Sequence, residues 1–198
     1  ALDIDAERRG MRDPRLRRVI VNSDMIRRQL LAKYPDLAGR VVVIHEGIER
    51  PAEGRVGARA ELLSRWGLNP AAPTALFLGH DFRRKGLREA IQVMAEARRR
   101  RPECPWQLLV VGRDRPGPYR ALARRLGLGS AVAFVGSVYP PDDCFGTAEV
   151  LLFPTWYDPF ANVTLESLAF GVPVITTRQN GGSEAIEPGV NGWVVSEP

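Results

Sequence analysis

Two short segments concentrate the side chains able to act on an anion. In Gly79-His80-Asp81-Phe82-Arg83-Arg84-Lys85-Gly86, three cations follow one another behind a glycine that lets backbone approach a ligand. A phosphate in that loop would accept charge-assisted hydrogen bonds, the stronger kind. Of the 28 basic residues, 26 are Arg and only Lys33 and Lys85 are Lys, so Lys85 stands where a compact ammonium suits better than a planar fork. Read by itself, the run is equally a solvated basic turn. The second segment is Tyr157-Asp158-Pro159-Phe160-Ala161-Asn162-Val163-Thr164-Leu165-Glu166, with its two acids eight positions apart and a helix starting between them. The amides of Ala161, Asn162 and Val163 are expected to point off that helix N-terminus, where an anion is favoured. Glu166 shares a helical face with Val163 and Phe170, and an acid among apolar neighbours needs a partner. The bland alternative is a helix N-terminal acid and an exposed one. A third segment, Gln179-Asn180-Gly181-Gly182-Ser183-Glu184, is a Gly-rich turn into a short helix and says little alone.

Thiol and metal chemistry find less support. Cys104 and Cys144 lie forty residues apart, with no C-x-x-C and no cluster with His45 or His80. That is no zinc signature, and two incidental or buried thiols fit a reducing cytosol.

The elements that must position these segments alternate along the chain. Strands are predicted over 18–21, 41–44, 75–78, 108–111, 132–135, 150–153 and 174–176, and helices over 24–33, 58–66, 87–100, 119–126, 142–147 and 162–170. Ser23 is placed to cap the first of these helices, and Tyr34-Pro35 to end it. Leu87, Ala90, Ile91, Met94 and Ala97 recur at helical spacing. Near-continuous apolar strands between amphipathic helices predict an α/β fold, a Rossmann-like doubly wound parallel sheet covered on both faces. Ligands bind such sheets at the carboxyl ends of the strands. The loops at 79–86, 112–118, 136–141, 154–161 and 177–183 are therefore the candidate site.

Composition bounds the function. The 198 residues are 44% hydrophobic and 26% charged, which suits a globular protein with a sizeable core. No run approaches the 18 or more apolar residues of a membrane span. The start, Ala1-Leu2-Asp3-Ile4-Asp5, is not a signal peptide. It lacks Met, and the abrupt stop at Ser196-Glu197-Pro198 reads as a piece of something longer. Residues 1–125 carry 27 Lys and Arg against 15 acids, whereas 126–198 carry only Arg178 against 8 acids. The basic part suits an anionic ligand, a nucleic acid or a membrane surface.

Taken in order, the motifs resemble the nucleotide-binding half of family 4 glycosyltransferases of GT-B fold. They are Leu78-Gly79, Arg84-Lys85-Gly86, Val110-Val111-Gly112, Phe134-Val135-Gly136, Asp158 to Glu166, Gly171-Val172-Pro173-Val174 and Gly181-Gly182-Ser183-Glu184. The resemblance spans roughly residues 18–198. Asp81-Phe82-x-Arg84-Lys85-Gly86 and Val21-Asn22-Ser23-x-Met25-Ile26 look most like the lipopolysaccharide-core glucosyltransferase I group. The resemblance implies that Arg84 and Lys85 neutralise the donor diphosphate, with the amides of Ala161, Asn162 and Val163 on the same phosphates. It also implies that Glu166 accepts from ribose hydroxyls, that Asp158 contacts the donor sugar, and that the segment from Gly136 and Ser137 lies beside the base. Gly79 and His80 would border the nucleotide sugar.

No metal and no cofactor are expected, since cations and helix amides take the metal's place. Two departures stand out: Asp158 replaces the usual Glu and is one methylene shorter, and His80 follows Gly79 where many relatives have Arg. The implied organisation is the tail of an N-terminal acceptor domain over 1–45, a linker over 46–57 and a nucleotide-sugar-binding domain over 58–198. The implied activity is retaining transfer of a hexose, glucose foremost, from a UDP-sugar to a lipopolysaccharide-core or similar glycan or glycolipid. The acceptor would be held by the missing N-terminal domain, so the fragment is expected to be inactive alone. A cytoplasmic location is implied, compatible with a peripheral position on the inner face of the cell membrane. Two rivals are a GT-B sugar-nucleotide epimerase and a basic nucleic-acid-binding module. The second rests on Arg98-Arg99-Arg100-Arg101 and a pI near 9.8 but lacks interleaved aromatics; that run reads as a solvated helix end.

Overall fold

Side chains alternate across a strand, and three central strands here send apolar residues both ways. Leu76, Leu109 and Leu151 enter one core, while their neighbours Phe77, Val110 and Leu152 enter the other. Strands buried on both faces must be covered by helices on both faces. The computed structural model describes residues 4–49, 51 and 57–198 of the chain. Ala1-Leu2-Asp3 and half of the linker expected over 46–57 lie outside the described residues.

The chain opens with α1 (Ile4–Met11), then β1 (Val19–Val21), α2 (Asp24–Lys33) and β2 (Val41–Val43), the two strands forming a parallel pair. After α3 (Arg59–Arg65) the main sheet begins with β3 (Thr74–Leu78). It continues through α4 (Leu87–Arg100), β4 (Gln107–Val111), α5 (Gly117–Arg125), β5 (Val132–Gly136) and α6 (Asp142–Gly146). It closes with β6 (Val150–Phe153), α7 (Asn162–Ala169), β7 (Val174–Thr177) and β8 (Gly192–Val195).

The six strands are parallel, in the order β5-β4-β3-β6-β7-β8. The chain steps outward from β3 to β5, returns to lay β6 beside β3, and steps outward the other way. This is the doubly wound order, and its reversal leaves a crevice outside the carboxyl ends of β3 and β6. The segments 79–86 and 154–161 flank that crevice.

The predicted strands and helices recur within two residues at each end, and α2, α4 and β6 match at both ends. Ser23 caps α2 by accepting from the Ile26 amide at 3.2 Å. Three elements escaped the sequence reading: α1, a 3-10 turn over Pro35–Leu37, and β8. β8 is a short edge strand beginning with Gly, its Trp193 60% exposed, so it carries little of the apolar signal of a central strand. α1 has three arginine or glutamate charges in succession, and no apolar run to announce it.

Candidate functional site

The crevice is closed at its floor by one glycine. Gly86 has φ +79°, and a Cβ on it would stand 1.9 Å from the Pro154 carbonyl oxygen. Only glycine permits both that conformation and that approach, so the loops after β3 and β6 meet backbone to backbone. Lys85, one residue before, thereby ion-pairs with Asp158 through Nζ and Oδ2. Their side chains are 14% and 8% exposed, so the pair is largely desolvated. Lys85 Nζ also sits 5.3 Å from the Phe153 ring centroid, where the ring face attracts a cation.

Arg84 is held beside this pair. Its Nε donates to Asp81 Oδ2 at 2.9 Å and its Nη1 to the Tyr157 carbonyl at 3.0 Å, leaving Nη1 3.9 Å from Asp158 Oδ2. Its own carbonyl accepts from the Trp156 amide at 2.9 Å and Thr155 Oγ1 at 3.0 Å. Asp81 has φ +56°, a left-handed conformation that is uncommon outside glycine. Burial opposes its ionisation, but hydrogen bonds from Arg84 outweigh that and hold its carboxyl below the ordinary value. The two cations are thus preset, facing one buried carboxylate.

The α7 N-terminus departs from the sequence expectation at one position. The Ala161 amide donates to Asn180 Oδ1 at 3.1 Å and is already spent. Asn180 is fully buried, and it also accepts from the Gly182 amide and donates to Thr164 and Thr176 hydroxyls. The amides of Asn162 and Val163, at the first two helical positions, have no carbonyl one turn earlier in the helix to bond. The amides expected to face an anion therefore narrow to those two.

The Gly-rich third segment serves a different contact. A Cβ on Gly181 would stand 1.9 Å from the Pro159 carbonyl and 2.6 Å from Ser23 Oγ. Through that close approach Ser23 Oγ donates to the Pro159 carbonyl at 2.8 Å. Glu184 accepts from the amides of Asp24 at 2.9 Å and Met25 at 2.7 Å, and lies 3.1 Å from His45 Nε2. The motif carboxylate thus caps α2, where the helix dipole favours it.

Glu166 is half-buried in a cleft of about 330 Å³ walled by Tyr139, Pro140, Phe145 and Phe170. Burial, and then the charge of Asp142, raises its carboxyl above the ordinary value. Gly136 and Ser137, both exposed, end β5 and lead into the Tyr139-Pro140 segment of this cleft. Gly79 closes β3 by donating to the Val111 carbonyl at 3.0 Å. His80 Nδ1 accepts from the Arg113 amide at 2.9 Å, so its ring braces the neighbouring loop. Arg84, Lys85 and Asp158 form one cluster; Glu166 lines the second cleft, toward which Gly136 and Ser137 lead; Gly79 and His80 support the basic loop. Sequence reasoning missed Asp81 and Asn180. A polar residue directly before Gly-Gly at a strand end was the available signal for Asn180.

Elsewhere the chemistry is quiet. The Arg98–Arg101 run ends α4, whose 14 residues put it about 21 Å from the crevice. Arg99 and Arg100 pair with Glu96, and their hydrogen bonds bring its carboxyl down to about 2. Burial, and then Asp143 and Asp142, pushes the Cys144 thiol up to about 12. Among the described residues no group of three or more His, Cys, Asp or Glu is arranged to hold a metal, and no helix is long and apolar enough to cross a membrane.

Comparison with known proteins bears on this geometry. Residues 72–198 match the family described as Glycosyl transferases group 1. A D-inositol 3-phosphate glycosyltransferase of Streptomyces avermitilis is 31% identical over 192 residues, 90% of this chain and 40% of the relative. The lipopolysaccharide glucosyltransferase WaaG of Escherichia coli is 34% identical over 126 residues, 62% of this chain and 33% of the relative. A crystal structure of WaaG, a glycosyltransferase involved in lipopolysaccharide biosynthesis, superposes with a TM-score of 0.82 at 26% identity, over 98% of this chain and 53% of that one. Anabaena HepE, crystallised with UDP-glucose, shares the fold with a TM-score of 0.70 at 21% identity, over 91% of this chain and 50% of that one. This chain thus spans about half the length of these proteins or less.

Proposed function

From the premise that this chain belongs to the glycosyl transferases group 1 family and has the nucleotide-sugar-binding fold of a GT-B enzyme, we propose that it is the donor-binding half of a retaining hexosyltransferase. The observation that carries this reading is the convergence of Arg84, Lys85 and Asp158 at the switch point beside the start of α7. In the free chain Lys85 is paired with Asp158. An incoming diphosphate would take the ammonium, with Arg84 and the Asn162 and Val163 amides on neighbouring oxygens. Negative charge grows on the leaving phosphate as the glycosidic bond breaks, and fixed donors aimed there stabilise it. Release of Asp158 from Lys85 frees a carboxylate for hydroxyls of the donor sugar. The half-buried Glu166, pushed up by burial and by the charge of Asp142, suits a ribose, whose hydroxyls would donate to its carboxyl. The loop from Gly136 and Ser137 then lies beside the base.

The donor proposed is a UDP-hexose, UDP-glucose foremost. HepE was crystallised with that molecule, and WaaG is by name a glucosyltransferase. The acceptor proposed is a glycan or glycolipid, in keeping with the lipopolysaccharide relative. It would be held largely by the part of the relatives that this chain does not span. The β1–β2 pair and α2 are proposed as the tail of that acceptor domain, since a two-stranded sheet is marginal on its own. Its Ile20, 66% exposed, gives such a sheet an apolar face to extend. Chemistry of this kind on lipid-linked acceptors would take place on the cytoplasmic side of a membrane.

Calorimetry with UDP, GDP, ADP and TDP, each with and without glucose attached, tests the reading. UDP and UDP-glucose are expected to bind tightest, and Lys85→Ala with Arg84→Ala to weaken both by roughly ten-fold or more. Unchanged affinity in that double variant would overturn the site. Steeply salt-dependent oligonucleotide binding indifferent to it would favour the nucleic-acid module instead.

A further inference from the structure

The start of α7 lacks the cap that α2 has. Ser23 accepts from the Ile26 amide through its own hydroxyl, whereas Ala161, in the same position on α7, has no side-chain oxygen to offer. An N-cap side chain serves a helix by occupying the amide of its second or third residue. The Thr164 amide already donates to the Ala161 carbonyl at 2.9 Å, so a capping side chain at 161 would draw on the Val163 amide, one of the two expected to face an anion. The acceptor that holds this turn comes instead from the fully buried Asn180. Its Oδ1 takes the Ala161 amide at 3.1 Å and the Gly182 amide at 2.9 Å. Its Nδ2 donates to Thr164 Oγ1 at 2.9 Å and to Thr176 Oγ1 at 3.2 Å. Two amides on one atom fix which end of the side chain is the oxygen. The residues on either side of Asn180 hold the backbone of Asp158. The Asp158 amide donates to the Gln179 carbonyl at 2.8 Å, and the Gly181 amide to the Asp158 carbonyl at 2.9 Å.

Two features of this arrangement go beyond holding the fold. Asn180 takes the amide just outside α7 and leaves the first two amides inside it. It also brings no charge. Asp has the same shape, but its carboxylate would occupy the positive field of the helix N-terminus that a phosphate needs. We propose that Asn180 is a positioning residue that keeps the start of α7 open for a diphosphate. It fixes the turn from Asp158 to Asn162 with an uncharged acceptor in place of a cap, and so leaves the Asn162 and Val163 amides and the helix field to the ligand. The proposal rests on the donor reading, which supplies the diphosphate.

Calorimetry with UDP and hydrogen exchange at single amides test this in the wild type, Asn180→Ala and Asn180→Asp. In the wild type the Ala161 amide is expected to exchange slowly with or without UDP, and the Asn162 and Val163 amides to slow only when UDP binds. Asn180→Ala removes the acceptor, so Ala161 exchange should accelerate and UDP should weaken roughly ten-fold. Asn180→Asp keeps an acceptor of the same shape, so Ala161 should stay protected while UDP still weakens roughly ten-fold or more. A merely structural role predicts otherwise for Asn180→Asp: protection and UDP binding return together. UDP affinity within about two-fold of the wild type in Asn180→Asp would therefore overturn the proposal. So would undiminished binding in Asn180→Ala, or UDP slowing all three amides alike in the wild type. Where a variant does not fold, the wild-type exchange pattern decides. If the wild type binds no UDP, the donor reading falls, and inorganic pyrophosphate titrated into the same three chains decides the role of Asn180.

Discussion

At the scale of single residues, the free chain holds the two charges proposed to meet the donor as a pair, Lys85 with Asp158. A largely desolvated ion pair is weak evidence for stability, but removing one partner leaves an uncompensated buried charge. Lys85→Met is therefore expected to lower folding stability by about 3 kcal/mol, the low end for such a loss because Arg84 remains 3.9 Å from Asp158. Adding Asp158→Leu should recover most of that, while donor binding stays lost. Denaturant melts of the two single variants and the double variant measure the coupling; strictly additive losses would show that the pair does not interact. Glu166 makes the opposite kind of prediction. Its folded value is raised, so the folded state holds a proton that the unfolded state has already released. Stability from this group is present below the unfolded value and is lost as pH rises through the folded one. Glu166→Gln should thus flatten the fall in stability above the ordinary carboxylate range, and leave the ligand-free chain no less stable at neutral pH. It should also weaken UDP up to roughly ten-fold, because an amide oxygen accepts from the proposed ribose hydroxyls less strongly than a carboxylate does. A variant that melts lower at neutral pH and binds UDP normally would refute both halves. The identities of these residues were legible from type and spacing. That Lys85 answers Asp158 was not, because those partners meet only when two loops converge.

At the scale of elements, two close backbone approaches do the positioning. Gly86→Ala must push against a backbone carbonyl and hold a left-handed conformation, and is expected to cost about 1–3 kcal/mol. The same shift should separate the loops after β3 and β6, so that UDP affinity falls although no ligand-facing side chain has changed. Calorimetry on the folded variant checks this; undiminished binding would mean the Gly86 crossing does not set the site. Glu184 ties the start of α2 to the 3-10 turn after β7. Glu184→Ala leaves two helix N-terminal amides unpaired and is expected to cost about 2 kcal/mol, with Glu184→Gln recovering part because an amide oxygen still accepts. Hydrogen exchange at the Met25 amide should accelerate in the first and much less in the second. The α2 and α4 boundaries were plain in the sequence, since Ser23, Pro35 and a 3.6-residue apolar period are local signals. β8 was not, because a four-residue edge strand draws its stability from pairing with β7.

At the scale of the molecule, the chain is proposed to supply one wall of a reaction that needs two. Retaining transfer requires the acceptor hydroxyl on the same face of the sugar as the departing phosphate. Ordering two reactants in that way contributes about 7–11 kcal/mol to rate. The chain by itself is therefore expected to bind UDP-glucose and to transfer no sugar, with slow hydrolysis at most. A radiolabelled UDP-glucose assay with lipopolysaccharide-core acceptors, run beside the same chain joined to a full acceptor domain, measures this. Robust transfer by residues 1–198 alone would place the acceptor site within them and overturn the division of labour proposed here.

The sequence by itself determined the alternation of elements, hence the doubly wound sheet, and the loops where function had to lie. It also determined the identity of the cations and acids, since hydrophobic period, caps and charge are properties of neighbouring residues. Only the tertiary structure decided which donors remain free. Ala161 looked as available as Asn162 and Val163 until Asn180, nineteen positions further on, took its amide. The carboxylate of Gly181-Gly182-Ser183-Glu184 had no assigned partner in the sequence until α2, some 160 residues earlier, came to rest on it. A hydrogen-bonding group is committed by whatever reaches it in space, and contacts between distant segments leave no periodicity for a sequence to show.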